Sequence, residues 1–266
     1  MSEPATAPRI LVPRPPERSG PLLRALRAAG YEPDLVPLIR IAPADDPDSI
    51  IDLVGALAGG RFGWLAVTSA STVPPLVDAA AHLGLDLPDA LSGTRVGVVG
   101  KATAAALRAA GVTVDLVARR ASAEGLGTEW PAPSALPRHP ARVLLPHGDL
   151  AAPTLAEALR AKGWAVRTVV AYRTLPVDPP PRVCAAWDRG DYSGVILTSS
   201  STARQLVHAL GMPPDGMPVC CIGETTARTA RELGMAVRVA AEPSPSGLVS
   251  GLGVTPGPVA QGAGEA

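Results

Sequence analysis

The sequence predicts an α/β protein of two similar domains, each a five-stranded parallel sheet flanked by helices. Three observations support this prediction. Two stretches recur along the chain, short apolar runs alternate with helical patterns, and proline-rich segments separate the repeats. An internal repeat is considered first because it fixes the architecture.

The first repeat pairs Arg9–Arg40 with Arg142–Arg173 without a gap. Each copy opens on an apolar run (R-I-L-V-P-R or R-V-L-L-P-H), continues through a helical pattern to Gly30 or Gly163, and closes on a second apolar run. A second unit also recurs, because V-T-S-A-S-T and V-V-G-K-A-T-A are echoed by L-T-S-S-S-T and C-I-G-E-T-T-A. The chain therefore has the order A–B–A′–B′. Two similar domains are expected to leave a cleft between them.

Short runs rich in Val, Ile and Leu are typical of strands buried on both faces of a parallel sheet. Ten candidate strands divide into two sheets of five. They lie at 9–13, 34–38, 64–68, 95–99, 113–117, 142–146, 166–170, 194–198, 218–222 and 236–240. Between them lie helical patterns that end at glycines, which predicts alternating strands and helices.

Composition excludes several classes of protein. The formal net charge of zero and the aromatic content of 3% argue against a nucleic-acid partner. Met1–Pro8 lacks a signal-peptide pattern, and no apolar run approaches the roughly 20 residues that span a bilayer. We therefore expect a cytoplasmic protein without a membrane partner.

Cysteine and histidine spacing predicts neither a disulfide framework nor a metal site. Cys184, Cys220 and Cys221 are odd in number and form no Cys-x-x-Cys pair. Adjacent residues 220 and 221 would point to opposite faces of a strand. The four histidines are scattered along the chain without metal-ligand spacing.

Small polar residues follow four of the predicted strands, where parallel sheets bind ligands. Helix starts with hydroxyl groups and glycines bind anions. The alternative is that each hydroxyl only caps its helix. The recurrence of these turns in both halves favours anion binding by Ser69, Gly100, Thr103, Ser199, Ser200, Gly223, Thr225 and Thr226.

Tyr172 is a separate candidate, at the end of an apolar run and just before a proline-rich segment. A phenol there could lean into the cleft and donate a proton or a hydrogen bond. The alternative is a ring packed between domains with a solvated hydroxyl.

Motifs for nucleotides and for serine hydrolases are absent from the sequence. Residues 97–103 miss the phosphate-binding loop pattern in glycine spacing and in the final Ser or Thr. No strand is followed by Gly-x-Gly-x-x-Gly, and no Gly-x-Ser-x-Gly occurs. A two-domain transferase that uses a sugar nucleotide is therefore a weak alternative.

Taken together, the segments resemble the uroporphyrinogen-III synthase family from about residue 9 to 252. Each motif is short, and their order and spacing carry the resemblance. The motifs are L-V-P-R-P with G-Y-E-P-D-L-V-P-L-I, T-S-A-S-T-V, V-V-G-K-A-T-A-A-A-L-R-A-A-G, S-A-E-G-L, V-L-L-P-H-G-D, V-V-A-Y-R-T-L-P, I-G-E-T-T-A-R-T-A-R-E-L-G and A-E-P-S-P-S-G-L-V.

The resemblance implies a crossed domain arrangement that the repeat alone does not decide. Each sheet would be flavodoxin-like, and a two-segment hinge would join the domains. Residues 1–38 and 177–255 would form a discontinuous first domain, and residues 43–170 a continuous second one. The hinge linkers would lie at 36–44 and 169–177, followed by a disordered tail at 256–266.

The resemblance also implies a reaction without a cofactor. The family takes hydroxymethylbilane, removes water, inverts the last pyrrole ring and closes the macrocycle. By motif, Tyr172 would assist departure of the hydroxyl and Arg14 would pair with a substrate carboxylate. Hydroxyls carried over by motif would bind the polyanionic substrate at Ser69, Thr103, Ser199, Thr225 and Thr226.

Three positions depart from the family pattern. His147 stands where the family often has Arg, Ala70–Ser71 replace a frequent Ala–Asn, and Glu224 places an acid beside a predicted anion site. They bear on the carboxylate contacts more than on the fold.

The alternative function is an inactive tetrapyrrole-binding or regulatory module, which we would expect in fusions with other domains. The short sequence after residue 252 favours the enzyme. A monomer is expected. The sequence leaves open whether substrate arrives through a transient contact with the preceding pathway enzyme.

Overall fold

A computed structural model describes residues 7–133 and 140–255. The tail predicted at 256–266 lies outside the described residues. The chain divides into two compact units. The split unit comprises the chain up to Arg40 and again from Leu175, and the continuous unit runs from Ile41 to Thr174.

Strands and helices alternate along the chain, as the sequence predicts. The strands are β1 (Arg9–Val12), β2 (Glu32–Leu35), β3 (Ile39–Pro43), β4 (Trp64–Val67), β5 (Arg95–Val98), β6 (Leu116–Val117), β7 (Arg142–Gly148), β8 (Ala165–Pro176), β9 (Gly194–Leu197), β10 (Val219–Cys221) and β11 (Arg238–Val239). The helices are α1 (Gly20–Ala28), α2 (Asp48–Ala58), α3 (Val73–His82), α4 (Leu87–Ala90), α5 (Lys101–Ala109), α6 (Ala123–Glu129), α7 (Thr154–Ala161), α8 (Pro181–Asp188), α9 (Ser200–Leu210), α10 (Glu224–Glu232) and α11 (Pro245–Leu252).

The two sheets have the same spatial order of corresponding strands, but the chain enters that order at a different strand in each sheet. The split unit has the order β11-β10-β9-β1-β2, with parallel neighbours throughout. The second sheet has the order β3-β8-β7-β4-β5-β6, and the pairs from β8 to β6 are parallel. If β7 and β8 are matched to β1 and β2, then β4, β5 and β6 match β9, β10 and β11. The sequence repeats therefore describe one sheet built twice, in circularly permuted order.

Each sheet is buried on both faces, which explains the continuous apolar runs. In β1, Leu11 contacts the core beneath α8 to α10, while Ile10 and Val12 contact the core that includes α1 and α11. Cys221 and Cys220 divide in the same way, which confirms the prediction that they point to opposite faces. Alternation of this kind follows from the two-residue period of a strand.

The prediction of five strands in each sheet was wrong for one sheet. Strand β3 adds a sixth strand beside β8, within the segment predicted as a linker at 36–44. Strand β8 also continues to Pro176 through the segment predicted as the second linker. The backbone N–H of Val177 donates to the Leu38 carbonyl over 2.8 Å, so these segments are hydrogen-bonded neighbours.

Candidate functional site

The carboxyl ends of the parallel strands carry the residues that the sequence analysis identified. In the split unit, β1, β9 and β10 end side by side, and Arg14, Ser199–Ser200 and Gly223–Thr226 follow them. In the continuous unit, Ser69 and Gly100 follow the neighbouring strands β4 and β5. The structure thus places the predicted residues in two sets, one at each sheet.

Two of the predicted serines cap the turns that they begin. Ser199 Oγ accepts the backbone N–H of Thr202 at 3.2 Å and lies 2.8 Å from the Thr202 hydroxyl. Ser69 Oγ accepts the backbone N–H of Ser71 at 3.1 Å, in the short 3-10 turn Ala70–Thr72. The capping interpretation therefore describes both serines, and their hydroxyl oxygens already accept hydrogen bonds.

Helices α5 and α10 begin without a capping side chain. They follow Gly100 and Gly223, whose φ angles of −161° and −173° are extended and open to any residue. A Cβ at Gly223 would meet nothing within 4 Å, and one at Gly100 would only touch Ala121 Cβ at 3.5 Å. Neither the backbone angle nor the available space requires glycine at these two positions. Because no side chain caps α5 or α10, their first-turn N–H groups are open to an anion.

The predicted threonines differ in exposure. Thr103 and Thr226 are the third residues of α5 and α10, and each is 5% exposed. Thr225, one residue before Thr226, is exposed. A ligand at the start of α10 therefore meets the hydroxyl of Thr225 before that of Thr226.

Thr229 is a site residue that the sequence analysis missed. Its hydroxyl donates to Ser200 Oγ at 2.9 Å and lies 3.3 Å from the Thr225 carbonyl oxygen, while Ser200 Oγ lies 3.4 Å from the same carbonyl. Thr229 is 7% exposed and lies one helical turn after Thr225. The i, i+4 spacing of two threonines in α10 is the only sequence signal that could have indicated it.

Tyr172 lies at the carboxyl edge of the continuous unit, where β8 pairs with the last residue of β7. Its ring packs against the core cluster that includes Leu144 and Ala171. Within residues 7–133 and 140–255, its hydroxyl makes no hydrogen bond. The ring is therefore held within the continuous unit, and the role of the hydroxyl as a proton donor stays a prediction.

The charged residues differ between the two copies of the uncapped helix start. The first residue of α5 is the exposed Lys101, and the first of α10 is Glu224. Glu224 forms a 2.6 Å ion pair with Arg231, which offsets its charge toward an incoming anion. Arg14 is half-buried two residues after β1, and its backbone N–H donates to the Val12 carbonyl.

The two buried cysteines, Cys220 and Cys221, are not nucleophiles at neutral pH. Burial raises the pKa of Cys220 to about 11, and burial with the neighbouring Cys220 raises the pKa of Cys221 to about 12. Both side chains therefore remain thiols, and the thiolate is the reactive form. Across the described part of the chain, no three His, Cys, Asp or Glu side chains group as metal ligands would. None of the described helices is long and apolar enough to cross a membrane.

Comparison with solved structures identifies the fold. The mutant uroporphyrinogen III synthase of Thermus thermophilus superposes with a TM-score of 0.64 over 92% of this chain and 97% of that chain, at 23% identity. The uroporphyrinogen-III synthetase of Helicobacter pylori gives a TM-score of 0.59 over 91% and 97%, at 18% identity. The predicted parallel α/β architecture is therefore confirmed.

Curated relatives carry consistent names. The uroporphyrinogen-III synthase of Synechococcus elongatus is 29% identical over 254 residues, which cover 90% of this chain and 92% of the relative. That of Chlorobaculum parvum is 26% identical over 245 residues, with 88% and 92% covered. The porphyrin biosynthesis protein HemD of Ruminiclostridium josui is 25% identical over 258 residues, or 95% of this chain. This chain spans about half of that relative, 49% of its length.

A family model covers most of the chain. The model for uroporphyrinogen-III synthase HemD matches residues 21–250, which include every predicted site residue except Arg14. The resemblance found in the sequence is thereby confirmed. This chain belongs to the uroporphyrinogen-III synthase HemD family.

Proposed function

We propose that this chain removes water from hydroxymethylbilane and closes it to uroporphyrinogen III, with inversion of the last pyrrole ring. The observation that carries the proposal is the family match over residues 21–250. The geometry of the carboxyl edges supports it, since each unit offers an uncapped helix start, after Gly100 and after Gly223.

The substrate suits these helix starts because it is a polyanion with acetate and propionate groups on every ring. In the proposal, first-turn N–H groups of α5 and α10 bind carboxylates, assisted by Arg14 and the Thr225 hydroxyl. Ser200 donates a hydrogen bond, Ser69 and Ser199 cap the turns that they begin, and Thr103 and Thr226 lie in the first turns of α5 and α10. Holding one chain geometry can lower the barrier by several kcal/mol, on the order of what proximity supplies elsewhere.

Tyr172 has the catalytic role in the proposal. Its phenol donates a proton to the departing hydroxyl, the C–O bond breaks, and water departs to leave an azafulvenium cation and a tyrosinate. The methylene carbon of the cation bonds to the substituted α-carbon of the last ring to give a spiro intermediate. The bond from that α-carbon to its original methylene then breaks, and this methylene bonds to the free α-carbon of the same ring, which is thereby inverted. The proton that the free α-carbon loses at aromatisation returns to the Tyr172 oxygen. The balance is one water lost, and the enzyme is unchanged.

The proposal extends to properties of the whole protein. The chain acts as a cofactor-independent hydro-lyase, as a monomer in the cytoplasm. Its partner is the small polycarboxylate hydroxymethylbilane, with neither nucleic acid nor membrane involved. The zero net charge of the sequence is consistent with this partner set.

The test is a coupled assay with freshly generated hydroxymethylbilane, in which the oxidised products are separated by isomer. We expect an excess of the type III isomer over the enzyme-free control. If folded protein yields only type I product, the catalytic proposal fails. Binding of the type III product without turnover would then favour the inactive tetrapyrrole-binding module.

A further inference from the structure

The ring of Tyr172 lies directly on the backbone of Gly148. A Cβ at residue 148 would stand 2.7 Å from both Cε2 and Cζ of Tyr172 and 2.8 Å from its hydroxyl oxygen. These are closer than carbon atoms approach in proteins, and all three are atoms at the reactive end of the ring. Gly148 does not have a positive φ, so its backbone alone would accept another residue. The tyrosine ring is what requires glycine.

An irregularity in the sheet brings the two residues together. Strands β7 and β8 pair in register from Arg142 with Ala165 to His147 with Val170, and the next pair is Gly148 with Tyr172. Residue 171 is therefore an extra residue in β8. Bulges of this kind re-aim side chains and are enriched beside active sites. Without the extra residue, Gly148 would face Ala171 instead of the phenol.

Asp149 holds the backbone at the tyrosine and two residues after it. Its N–H donates to the Tyr172 carbonyl at 3.1 Å, and its Oδ1 accepts the N–H of Thr174 at 2.9 Å. The ladder between β7 and β8 is thus extended by one residue that uses both its main chain and its carboxylate. A carboxylate that accepts a backbone N–H forms a charge-assisted hydrogen bond, which is stronger than a neutral one.

The other internal copy lacks all three residues. In the gapless repeat, Gly148 and Asp149 correspond to Pro15 and Pro16, and Tyr172 corresponds to Ile39. Proline has no N–H, so Pro16 cannot donate as Asp149 does. The glycine, the aspartate and the tyrosine therefore occur together in one copy and are absent together from the other.

We propose that Gly148 and Asp149 are positioning residues that fix where the Tyr172 hydroxyl meets the substrate. The inference rests on the proposed function and deepens it. Gly148 admits the ring to one place against β7, and Asp149 fixes the bulged backbone from which the ring extends. Proton donors must lie within hydrogen-bond reach of the group that leaves, so displacement of the hydroxyl slows the reaction.

The first experiment measures kcat and KM for Gly148→Ala, Tyr172→Phe and the double variant. We expect Gly148→Ala to lower kcat by about tenfold or more with KM within about twofold, since a positioned acid contributes roughly 10²- to 10⁴-fold. In the Tyr172→Phe background the alanine should change kcat by less than about twofold, because variants that act through one group are not additive.

Two matched glycine variants in the same unit are controls for packing. Gly55→Ala adds a methyl at an ordinary distance of 3.6 Å from Leu83 Cδ1. Gly127→Ala adds a methyl only 2.8 Å from Ala158 Cβ, a contact that does not involve the tyrosine. We expect Gly55→Ala to behave as the parent chain. Gly127→Ala should lower the melting temperature and leave kcat per folded molecule unchanged. If Gly127→Ala lost as much kcat as Gly148→Ala, the effect of Gly148→Ala would be explained by disturbed packing and not by displacement of the Tyr172 hydroxyl.

A second readout does not depend on turnover. The chain contains three tyrosines, so 3-fluorotyrosine labelling gives three fluorine resonances, and Tyr172→Phe assigns one of them. Gly148→Ala should shift the Tyr172 resonance and leave those of Tyr31 and Tyr192 in place. Asp149→Ala should shift it as well, and Asp149→Asn, which keeps a side-chain oxygen for the Thr174 N–H, should restore both the resonance and kcat.

The outcomes separate the inference from the proposed function. If the parent chain forms no type III isomer, the function fails, whereas the fluorine spectrum still reports whether Gly148 fixes the ring. If the parent chain is active and Tyr172→Phe is slow, but Gly148→Ala keeps full kcat and an unshifted resonance, the inference is overturned. Full activity of Tyr172→Phe overturns it too, because there is then no catalytic hydroxyl to position.

Discussion

Thr229 donates a hydrogen bond to Ser200 Oγ over 2.9 Å and so joins the first turn of α9 to α10. Because Ser200 accepts this bond, its own proton can be donated elsewhere. The Thr225 carbonyl, at 3.4 Å, is a weak acceptor for it. A carboxylate would be a stronger one, and a hydroxyl that accepts a hydrogen bond is itself a better donor.

Thr229→Val tests this pair. The valine keeps the shape of threonine and removes the donor, so Ser200 should bind a carboxylate less well. We expect KM for hydroxymethylbilane to rise by about three- to tenfold, consistent with roughly 1 kcal/mol for one hydrogen bond. Thr94→Val is the matched control, since Thr94 donates to the Phe62 carbonyl and precedes β5 at the amino end. An equal KM increase in both variants would contradict the role of Thr229.

Tyr172→Phe should separate activity from stability. Since the hydroxyl has no hydrogen-bond partner in the described part of the chain, its loss should change the free energy of unfolding by less than about 0.5 kcal/mol. The type III assay should show kcat lower by about tenfold or more.

Tyr31→Phe provides the opposite case. The Tyr31 hydroxyl donates to the Val254 carbonyl at 2.7 Å, so this variant should lose about 1 kcal/mol of stability and keep its kcat. If both tyrosine variants kept full activity, Tyr172 would have no part in the reaction.

Gly223→Ser places a capping hydroxyl on the open start of α10. The new side chain meets no obstacle, so the protein should fold and gain a few tenths of a kcal/mol, about what serine gains over glycine at this position. The serine oxygen competes with substrate for the same N–H groups, so KM should rise by about fivefold, near the roughly 1 kcal/mol of a capping bond.

Gly223→Ala is the control for that substitution. It adds the same Cβ without the oxygen, and should leave KM closer to that of the parent chain. Calorimetric titration with the type III product measures the same difference at equilibrium. Equal affinities for the serine and alanine variants would mean that these N–H groups do not bind the ligand.

The buried cysteines predict a loss of stability in alkali. Folding raises the pKa of Cys220 to about 11 and the pKa of Cys221 to about 12, from an ordinary value of 9.0. Above pH 9 the unfolded chain releases thiol protons that the folded chain retains, so the free energy of unfolding falls as pH rises toward 12. Each thiol contributes at most about 1.4 kcal/mol per pH unit.

Urea unfolding at pH 8 and pH 10 measures this slope. The variant Cys220→Ala/Cys221→Ala should be less stable at pH 8 because it loses packing, and its stability should fall less between the two pH values. Tyr192, whose pKa burial also raises, contributes to both chains and cancels in the comparison. Identical slopes would contradict the assignment to the thiols.

Much of the fold could be predicted because its signals are local. The apolar runs at β1, β4, β5, β7, β9 and β10 are continuous, since both faces of each strand are buried. Strand β3 was missed for a physical reason. Its sequence I-R-I-A-P has exposed residues and lies between prolines, because it is an edge strand that pairs only with β8.

The candidate site was predictable in part for the same reason. Ser199 and Ser69 sit at helix starts, where local sequence indicates a cap. The contact of Gly148 with Tyr172 joins two strands through a bulge, and that of Thr229 with Ser200 joins two helices. Local sequence does not predict either contact, since both depend on how separate elements pack.

The permuted strand order has a consequence for synthesis on the ribosome. The continuous unit has all its chain once Thr174 has been made. Strand β1 leaves the ribosome before the continuous unit does, but its neighbour β9 begins only at Gly194. At about 5–20 residues per second, β1 and β2 wait roughly ten seconds or more for the rest of their sheet. The Arg9–Asp34 pair can form within this waiting segment, whereas the bond from Tyr192 to Asp34 must come later. Strands β1 and β2 are therefore the part of the split unit that spends the longest time on the nascent chain without its neighbours in the sheet.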